Sequence, residues 1–297
     1  MKSMAPESKL LITGSEGQLG ADLVKFFSRD YKVCGVDIMQ MDIRDFRMVG
    51  TVFQKCEPEI VLHAAAYTDV DGAETDRDRA FAVNAEGTAN IARACKEYGA
   101  RMIYFSTDYV FDGDKKTPYV ESDPPSPQTV YGKSKYEGEK KVAEILEDFT
   151  IMRLAWLYGA SGKNFIRTLI RQAWQQMRMK EAGQIITPVT VVDDQTGNPT
   201  WTMEIVKQTK IVIENNLNGI IHATAEGETS RYDLAKEVFD FLKMPVYLIP
   251  CTSEALALPA PRPKYSSLEN RVLKNAGWNV MRPYKEALHD FLSHHRE

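Results

Sequence analysis

The sequence of 297 residues has few cysteines and no long apolar run. Its four cysteines, Cys34, Cys56, Cys95 and Cys251, are far apart and form no Cys-x-x-Cys pair. This spacing argues against a zinc site or a disulfide framework, and we expect reduced thiols in a cytoplasmic protein. No stretch approaches the roughly 18 unbroken apolar residues that a membrane helix needs. The first nine residues lack the apolar core of a signal peptide and predict a loose leader.

Neither sign of charge dominates the composition. The chain has 37 Lys and Arg against 41 Asp and Glu, a formal net charge of −4. This balance excludes a protein that coats nucleic acid, although a local basic pocket for a phosphorylated small molecule stays compatible with it. Hydrophobic residues make up 43%, which is typical of a globular protein rather than a disordered one. We therefore expect a small-molecule substrate and neither a nucleic-acid nor a membrane partner.

Short β-branched runs alternate with helical segments through the first two-thirds of the chain. This alternation predicts an α/β fold with a doubly wound parallel sheet. The predicted strands are residues 9–13, 32–36, 60–64, 102–106 and 150–155. The predicted helices are residues 20–29, 48–57, 80–98, 131–147 and 164–179.

The composition changes after about residue 159. Here we predict strands at 185–192 and 219–223, helices at 202–215 and 230–242, and one or two short helices after 268. The prolines from Pro245 through residues 259–267 predict an extended loop. We expect residues 1–160 to form the main domain. Residues 161–297 are expected to combine sheet-completing elements with a smaller lobe over the carboxyl edge of the sheet, where ligands of such sheets bind.

A glycine-rich turn follows the first predicted strand. Residues 14–20 read GSEGQLG and lead into a helix. Gly14 permits a tight turn, Gly17 lets the backbone approach a phosphate, and Gly20 allows close packing of helix on strand. Strand, glycine turn and helix N-terminus together predict a binding site for a pyrophosphate.

An acidic residue, Asp37, ends the second predicted strand. Such a carboxylate can accept hydrogen bonds from adenosine ribose hydroxyls and repels a 2′-phosphate. The next cation is Arg44, so NADH is slightly favoured over NADPH. Asp42 and Ile43 follow where they could flank the adenine.

Small residues end the third predicted strand. The three alanines Ala64, Ala65 and Ala66 leave room for a flat ligand against the backbone. The histidine before them, His63, is interpreted as a satisfied core residue rather than a catalyst.

A tyrosine and a lysine lie four residues apart on a predicted helix. Tyr131 and Lys135 therefore share one helix face. A nearby ammonium is expected to lower the pKa of the phenol from about 10 toward the working range, so that it can donate a proton to a carbonyl oxygen. Thr107, at the end of the fourth strand, can bind the same oxygen. These three residues predict the catalytic triad of a dehydrogenase.

The chain resembles the extended short-chain dehydrogenase/reductase family over nearly its whole length, with a Rossmann-type fold. Within it, the chain is most similar to the dTDP-4-dehydrorhamnose reductase family. The motifs that carry the resemblance are residues 13–20 (TGSEGQLG), 64–71 (AAAYTDVD), 106–113 (STDYVFDG), 126–139 (SPQTVYGKSKYEGE), 153–159 (RLAWLYG), 194–200 (DQTGNPT) and 262–268 (RPKYSSL).

The resemblance implies a set of functional residues. Thr107, Tyr131 and Lys135 would be catalytic. The implied NAD(P)-binding residues are Gly14, Gly17, Gln18, Leu19, Asp37, Asp42, Ile43, Ala64, Ala65, Ala66, Tyr131 and Lys135, with Asn84 nearby. The implied substrate-binding residues are Thr68, Val70, Asp108, Val110, Phe111, Trp156, Asn164, Gln195, Arg262 and Ser266. In this set, Trp156 offers a flat apolar face to the sugar unless it is core packing, and Arg262 offers a cation to the diphosphate.

Some positions depart from the family pattern. Ala21 and Asp22 follow the glycine turn where a bulkier residue and Glu are frequent, Arg231 replaces an aromatic residue, and Lys264 and Tyr265 replace a smaller polar pair. Some family members dimerise around Mg²⁺ bound by glutamates. No matching cluster surrounds Met203, so Mg²⁺ is not carried over, and a homodimer stays open.

The resemblance implies reduction of the 4-keto group of a dTDP-linked 4-keto-6-deoxy sugar by NADH or NADPH, which gives dTDP-L-rhamnose. Residues 1–160 would bind NAD(P) and carry the catalytic residues, and residues 161–297 would bind the substrate. Two alternatives stay open. One is a regulatory protein like the β subunit of methionine adenosyltransferase, and the other is a reductase of a different nucleotide-linked keto-sugar.

Overall fold

Parallel strands and their connecting helices make up most of the molecule, whose computed structural model describes residues 8–295. The strands in that range are β1 (Lys9–Thr13), β2 (Lys32–Val36), β3 (Ile60–His63), β4 (Arg101–Thr107), β5 (Phe149–Leu154), β6 (Leu157–Tyr158), β7 (Val189–Val192), β8 (Thr196–Gly197), β9 (Thr200–Trp201), β10 (Gly219–His222), β11 (Thr229–Ser230) and β12 (Leu248–Cys251). The α-helices are α1 (Gln18–Phe27), α2 (Phe46–Cys56), α3 (Val70–Thr75), α4 (Arg77–Phe81), α5 (Thr88–Tyr98), α6 (Val130–Ile145), α7 (Phe165–Glu181), α8 (Thr202–Glu214), α9 (Arg231–Leu242), α10 (Ser253–Leu256), α11 (Arg271–Ala276) and α12 (Tyr284–His294). None of these helices has the length and apolar character to cross a bilayer. Most of the predicted leader, residues 1–7, lies outside the described residues.

Six strands form the central sheet in the order β10-β5-β4-β3-β1-β2. Every neighbouring pair is parallel. The chain runs from β1 outward to β2 and then crosses to β3 on the other side, so its direction across the sheet reverses at β1. Ligands of such sheets bind beyond the carboxyl ends of the strands at this reversal. The predicted doubly wound parallel sheet is confirmed.

Helices cover both faces of this sheet. Leu10 and Ile12 of β1 belong to a buried cluster with side chains of α1 and α8. Leu11, which points to the opposite face, belongs to a second cluster with side chains of α2, α5 and α6. Because both faces are buried, the central strands are continuous apolar runs rather than alternating ones.

The elements after residue 160 pack in two different places. Helix α8 and strand β10 return to the central sheet, where β10 pairs with β5. A separate buried cluster joins α7, β7, α9 and α12. The expected division at residue 160, with sheet-completing elements and a substrate-binding lobe in residues 161–297, stays a prediction.

Two local predictions differ from the structure. The helix predicted over 80–98 is interrupted by a π-helical turn, Ala82–Gly87, between α4 and α5. The side chain of Asn84 in this turn bonds the backbone of Tyr67 and donates to Ser134 Oγ at 2.9 Å. In addition, Pro250 lies in β12, which pairs with β7 alone, rather than in a loop. A two-stranded pair tolerates the missing N–H because the proline occupies an edge strand.

The expectation of four reduced thiols is wrong for one pair. Cys34 in β2 and Cys56 at the end of α2 form a disulfide, with Cα atoms 6.3 Å apart. The two residues are 22 positions apart in sequence, but the crossover helix brings its C-terminal end back beside the strand. Cys95 and Cys251 are free thiols.

Candidate active site

The glycine turn between β1 and α1 is closely packed against the end of β3. Gly14 has a φ of +66°, and a Cβ on it would lie 2.8 Å from the Cα of Ala65. A Cβ on Gly20 would lie 1.9 Å from the carbonyl oxygen of Gly14. Gly17 is the N-cap residue of α1 and has no side chain that could cap the helix. The first backbone N–H groups of α1 are therefore available to an anion, as a dinucleotide site requires.

The carboxylate of Asp37 lies beside this turn at the end of β2. It accepts hydrogen bonds from the backbone N–H of Glu16, at 3.0 Å, and of Ile38, at 2.8 Å. Arg44, the first cationic residue after Asp37 in the sequence, forms an ion pair with Asp42 at 2.6 Å. This pairing engages the Arg44 guanidinium, and the preference for NADH over NADPH stays a prediction.

The three predicted catalytic residues meet at the carboxyl end of β4. Thr107 is the last residue of β4, and Tyr131 and Lys135 lie one turn apart near the start of α6. Thr129 caps α6 by accepting a hydrogen bond from Gly132 N at 2.9 Å. The Nζ of Lys135 donates to the carbonyl oxygen of Phe105 at 2.8 Å. This bond ties the helix face that carries both residues to the strand that carries Thr107.

Burial, rather than the neighbouring ammonium, sets the protonation of the tyrosine. The pKa of Tyr131 is raised, chiefly because the phenolate would be desolvated, and the Thr107 hydroxyl opposes the rise only in part. The expected lowering of this pKa by Lys135 is therefore wrong. The pKa of Lys135 is itself lowered to about 7, because burial disfavours the ammonium more than Glu139 favours it. The phenol thus keeps its proton at neutral pH, while the lysine titrates there.

The hydroxyl of Thr107 is held by the next residue in the chain. Its Oγ1 donates to Asp108 Oδ1 at 2.9 Å and accepts from the backbone N–H of Tyr109 at 3.2 Å. Burial raises the pKa of Asp108 to about 6, and the neighbouring hydroxyls of Ser266 and Thr107 limit the rise. The other carboxylate oxygen of Asp108 is buried and has no partner within the described residues. A polar group of a ligand in the cleft could bond this oxygen.

A single cleft of about 800 Å³ joins the glycine turn to these catalytic residues. All twelve predicted cofactor residues line it, together with Thr107. Four of the predicted substrate residues also line it, namely Thr68, Val70, Asp108 and Trp156. The cleft therefore brings the two predicted binding regions together around the triad.

Six predicted substrate residues do not line this cleft. Val110 and Phe111 are buried in a small core cluster. Asn164 caps α7, and Gln195 donates to Ser253 Oγ at 2.8 Å. Arg262 is bound to Asp71 at 2.7 Å. Ser266 lies behind the wall, where its Oγ accepts from Trp156 Nε1 at 3.2 Å. Direct roles for these six residues stay predictions.

Sequence reasoning missed two cations that line the cleft, Lys163 and Arg231. Arg231, the first residue of α9, lines the cleft with its guanidinium carbon 3.5 Å from the ring centroid of Trp156. Its replacement of an aromatic residue was the signal that could have singled it out. Trp156 is partly buried by this cation and by Gly197, where a Cβ would lie 2.4 Å from the indole. Both neighbours hold the indole in the wall.

His63 is confirmed as a satisfied core residue. Its two ring nitrogens contact Thr13 Oγ1, at 2.7 Å, and Thr88 Oγ1, at 3.1 Å. Burial lowers its pKa to about 3, so the ring is neutral. Within residues 8–295, no group of three or more His, Cys, Asp or Glu side chains is arranged to hold a metal ion.

The chain is similar in sequence and structure to known proteins. Residues 8–297 match the family model described as RmlD substrate binding domain. A dTDP-4-dehydrorhamnose reductase of Streptomyces griseus is 40% identical over 291 residues, which cover 95% of this chain and 92% of that protein. A dTDP-4-keto-6-deoxy-D-glucose reductase of Streptomyces niveus is 36% identical and covers 94% of both. The crystal structure of dTDP-4-dehydrorhamnose reductase from Bacillus anthracis in complex with NADP is 36% identical, with a TM-score of 0.92 over 97% of this chain and 99% of that one.

Proposed function

We propose that this chain, which belongs to the RmlD substrate binding domain family, is a reductase of nucleotide-linked sugars. Its reaction is the NAD(P)H-dependent reduction of the 4-keto group of dTDP-4-dehydro-6-deoxy-L-mannose to dTDP-L-rhamnose, in dTDP-rhamnose biosynthesis. The observation that carries the proposal is the meeting of Thr107, Tyr131 and Lys135 in one cleft with the glycine turn. The dTDP-4-dehydrorhamnose reductases among its relatives support the same reaction. We assign the reaction to the cytoplasm, where reduced nicotinamide nucleotides are available to biosynthetic enzymes.

The glycine turn fits a nicotinamide dinucleotide. Any side chain at Gly14 or Gly20 would collide with backbone atoms, so the backbone itself forms the cradle that a pyrophosphate needs. Gln18 adds a buried side-chain oxygen without a partner within the described residues. Asp37 is placed for the adenosine ribose, and Ala64 to Ala66 leave space along the sheet edge. When bound, the dihydronicotinamide supplies the hydride that reduces C4.

The residues of the chain supply the proton and the geometry. The neutral phenol of Tyr131 donates its proton to the carbonyl oxygen, so that the ketone becomes an alcohol. The hydroxyl of Thr107, whose one proton is donated to Asp108 Oδ1 here, would turn to donate it to the same oxygen when the substrate binds. The Lys135 ammonium has donors beyond the one that binds Phe105 O, and these can hold ribose hydroxyls of the dinucleotide.

A direct assay tests the proposal. The purified chain, given the dTDP-4-keto-6-deoxy sugar and the epimerase that prepares it, is expected to oxidise NADH or NADPH, followed by absorbance. Tyr131→Phe is expected to lower the rate by at least about a hundredfold, because it removes the proton donor while leaving the ring in place. The far-UV circular dichroism spectrum of this variant should be unchanged and dinucleotide binding should be retained, weakened only by the loss of the hydroxyl that Tyr131 is predicted to offer the cofactor, which shows that the cleft is intact.

Two outcomes bear on the proposal in different ways. No oxidation of either cofactor by the wild-type chain contradicts reductase activity. Oxidation with a product other than dTDP-L-rhamnose, identified by NMR, keeps the reaction class but changes the sugar. That second outcome matters because one relative is named for a different keto-sugar.

A further inference from the structure

Arg231 places an unpaired cation in the wall of the cleft. Its guanidinium lies against Trp156, with its central carbon 3.5 Å from the ring centroid, and 4.9 Å from the ring centroid of Phe165. No carboxylate among residues 8–295 forms an ion pair with it; besides burial, Tyr109 and Asp108 raise its pKa and Arg262 lowers it. Burial lowers the pKa of Arg231 to about 10, so the group is still charged at neutral pH.

The other arginines near the site are neutralised by partners. Arg262 is bound to Asp71, and Arg44 is bound to Asp42. A charge that is withdrawn from water without an opposite charge is costly, so buried charges in proteins are normally paired. Of the cations outside the triad that line the cleft without an ion pair among the described residues, Lys163 is exposed to water, whereas Arg231 is partly buried and departs from this rule. This points to an anionic ligand as the missing partner of Arg231.

The position of Arg231 indicates which ligand this is. Its stacking partner Trp156 lines the cleft and is one of the predicted substrate residues, and neither Trp156 nor Phe165 belongs to the glycine turn, which we assign to the dinucleotide phosphates. In a nucleotide-linked sugar, the hexose and the base are uncharged and the diphosphate carries the negative charge. A guanidinium is the side chain best suited to bind phosphate oxygens in pairs, and stacking on an indole fixes its plane.

We propose that Arg231 binds the diphosphate of the sugar-nucleotide substrate and is a specificity determinant of this site. The inference rests on the proposed function and extends it to a residue outside the predicted set. Arg262, the residue predicted to offer a cation to the diphosphate, has its side chain engaged with Asp71 instead.

Binding of dTDP and of thymidine, measured by calorimetry on the full chain with the dinucleotide present, tests this assignment. Wild type should bind dTDP more tightly than thymidine. Arg231→Met should weaken dTDP binding about 10- to 100-fold, as expected for loss of a charged hydrogen bond, and leave thymidine unchanged. Arg231→Lys should retain part of the affinity for dTDP, because it keeps the charge but not the planar donor pair.

Arg171→Met is the matched control, since it removes the same charge from an exposed position on α7. It should change neither affinity, and dinucleotide binding should be the same in all variants. In steady-state assays, Arg231→Met should raise KM for the sugar nucleotide more than it lowers kcat.

Several results would overturn the assignment. These are dTDP binding by Arg231→Met as tight as wild type, equal losses for dTDP and thymidine, or wild-type binding that does not distinguish the two. If Arg231→Met does not fold, dTDP binding by Arg231→Lys that equals wild type overturns it as well. Arg231-dependent binding of dTDP by a chain that oxidises no NAD(P)H would instead contradict the proposed reaction while leaving this inference standing.

Discussion

Replacement of Glu139 is expected to show how strongly a buried ion pair stabilises the helix that carries the catalytic residues. Glu139 on α6 and Arg153 on β5 form a bidentate ion pair, with Nε to Oε1 at 3.0 Å and Nη2 to Oε2 at 2.7 Å. Their side chains are only 3% and 1% exposed. The pair fixes α6, which carries Tyr131 and Lys135, to the strand next to β4.

The expected magnitude follows from burial. Glu139→Leu leaves the Arg153 guanidinium buried without its counter-charge, and such a change costs about 3–5 kcal/mol of unfolding free energy. The double variant Glu139→Leu/Arg153→Met replaces both charges with apolar groups. It should lose less stability than either single variant, because no uncompensated charge stays behind. The double-mutant cycle is therefore expected to give a coupling free energy of several kcal/mol between Glu139 and Arg153.

The assay is urea unfolding followed by circular dichroism for the wild type, both single variants and the double variant. Lys140→Met, which breaks the half-exposed pair with Glu137 on the same helix, is the control and should change stability by less than about 1 kcal/mol. A loss below about 1 kcal/mol for Glu139→Leu, or a double variant equal to the sum of the singles, would refute the reasoning.

Three further outcomes are expected. Gly20→Ala should weaken NADH binding about tenfold or more in a fluorescence titration, because its Cβ would meet the Gly14 carbonyl; Gly50→Ala on α2, where a Cβ meets nothing within 4 Å, should leave binding unchanged. Asp37→Asn should raise the ratio of kcat/KM for NADPH to that for NADH about tenfold, and an unchanged ratio would show that this carboxylate does not exclude a 2′-phosphate. The value of kcat/KM for NADH should fall as pH rises through about 7, since the Lys135 ammonium is present below that pH and lost above it; a profile flat between pH 6 and 8 would contradict this.

The fold and the cofactor half of the site were predictable because their signals are local. Each central strand is buried on both faces and is therefore a short apolar run, as with residues 9–13. The glycine turn is confined to seven consecutive residues, and Tyr131 and Lys135 share a helix face by spacing alone. Patterns of this kind can be recognised without knowing which distant residues they contact.

The substrate half was harder to predict because its contacts join distant segments. Arg262 pairs with Asp71, which is 191 residues away in sequence, and Gln195 bonds Ser253 across 58 residues. No spacing rule reveals such pairs, so residues assigned by resemblance can be engaged elsewhere. The Cys34–Cys56 disulfide was missed for the same reason.

The pKa values of Tyr131 and Lys135 could not be predicted from the spacing of these residues in the sequence. The spacing of Tyr131 and Lys135 predicts that a cation stabilises a phenolate, but burial acts on both groups and opposes charge on each. The phenol consequently stays a proton donor at neutral pH, and the lysine becomes the group that titrates near pH 7. Because the unfolded lysine keeps its proton to higher pH, the fold gains stability as pH rises from about 7 toward the ordinary lysine pKa. The pH at which Lys135 is charged for function is thus the pH at which it costs stability, as expected for a buried group retained for binding or catalysis rather than for the fold.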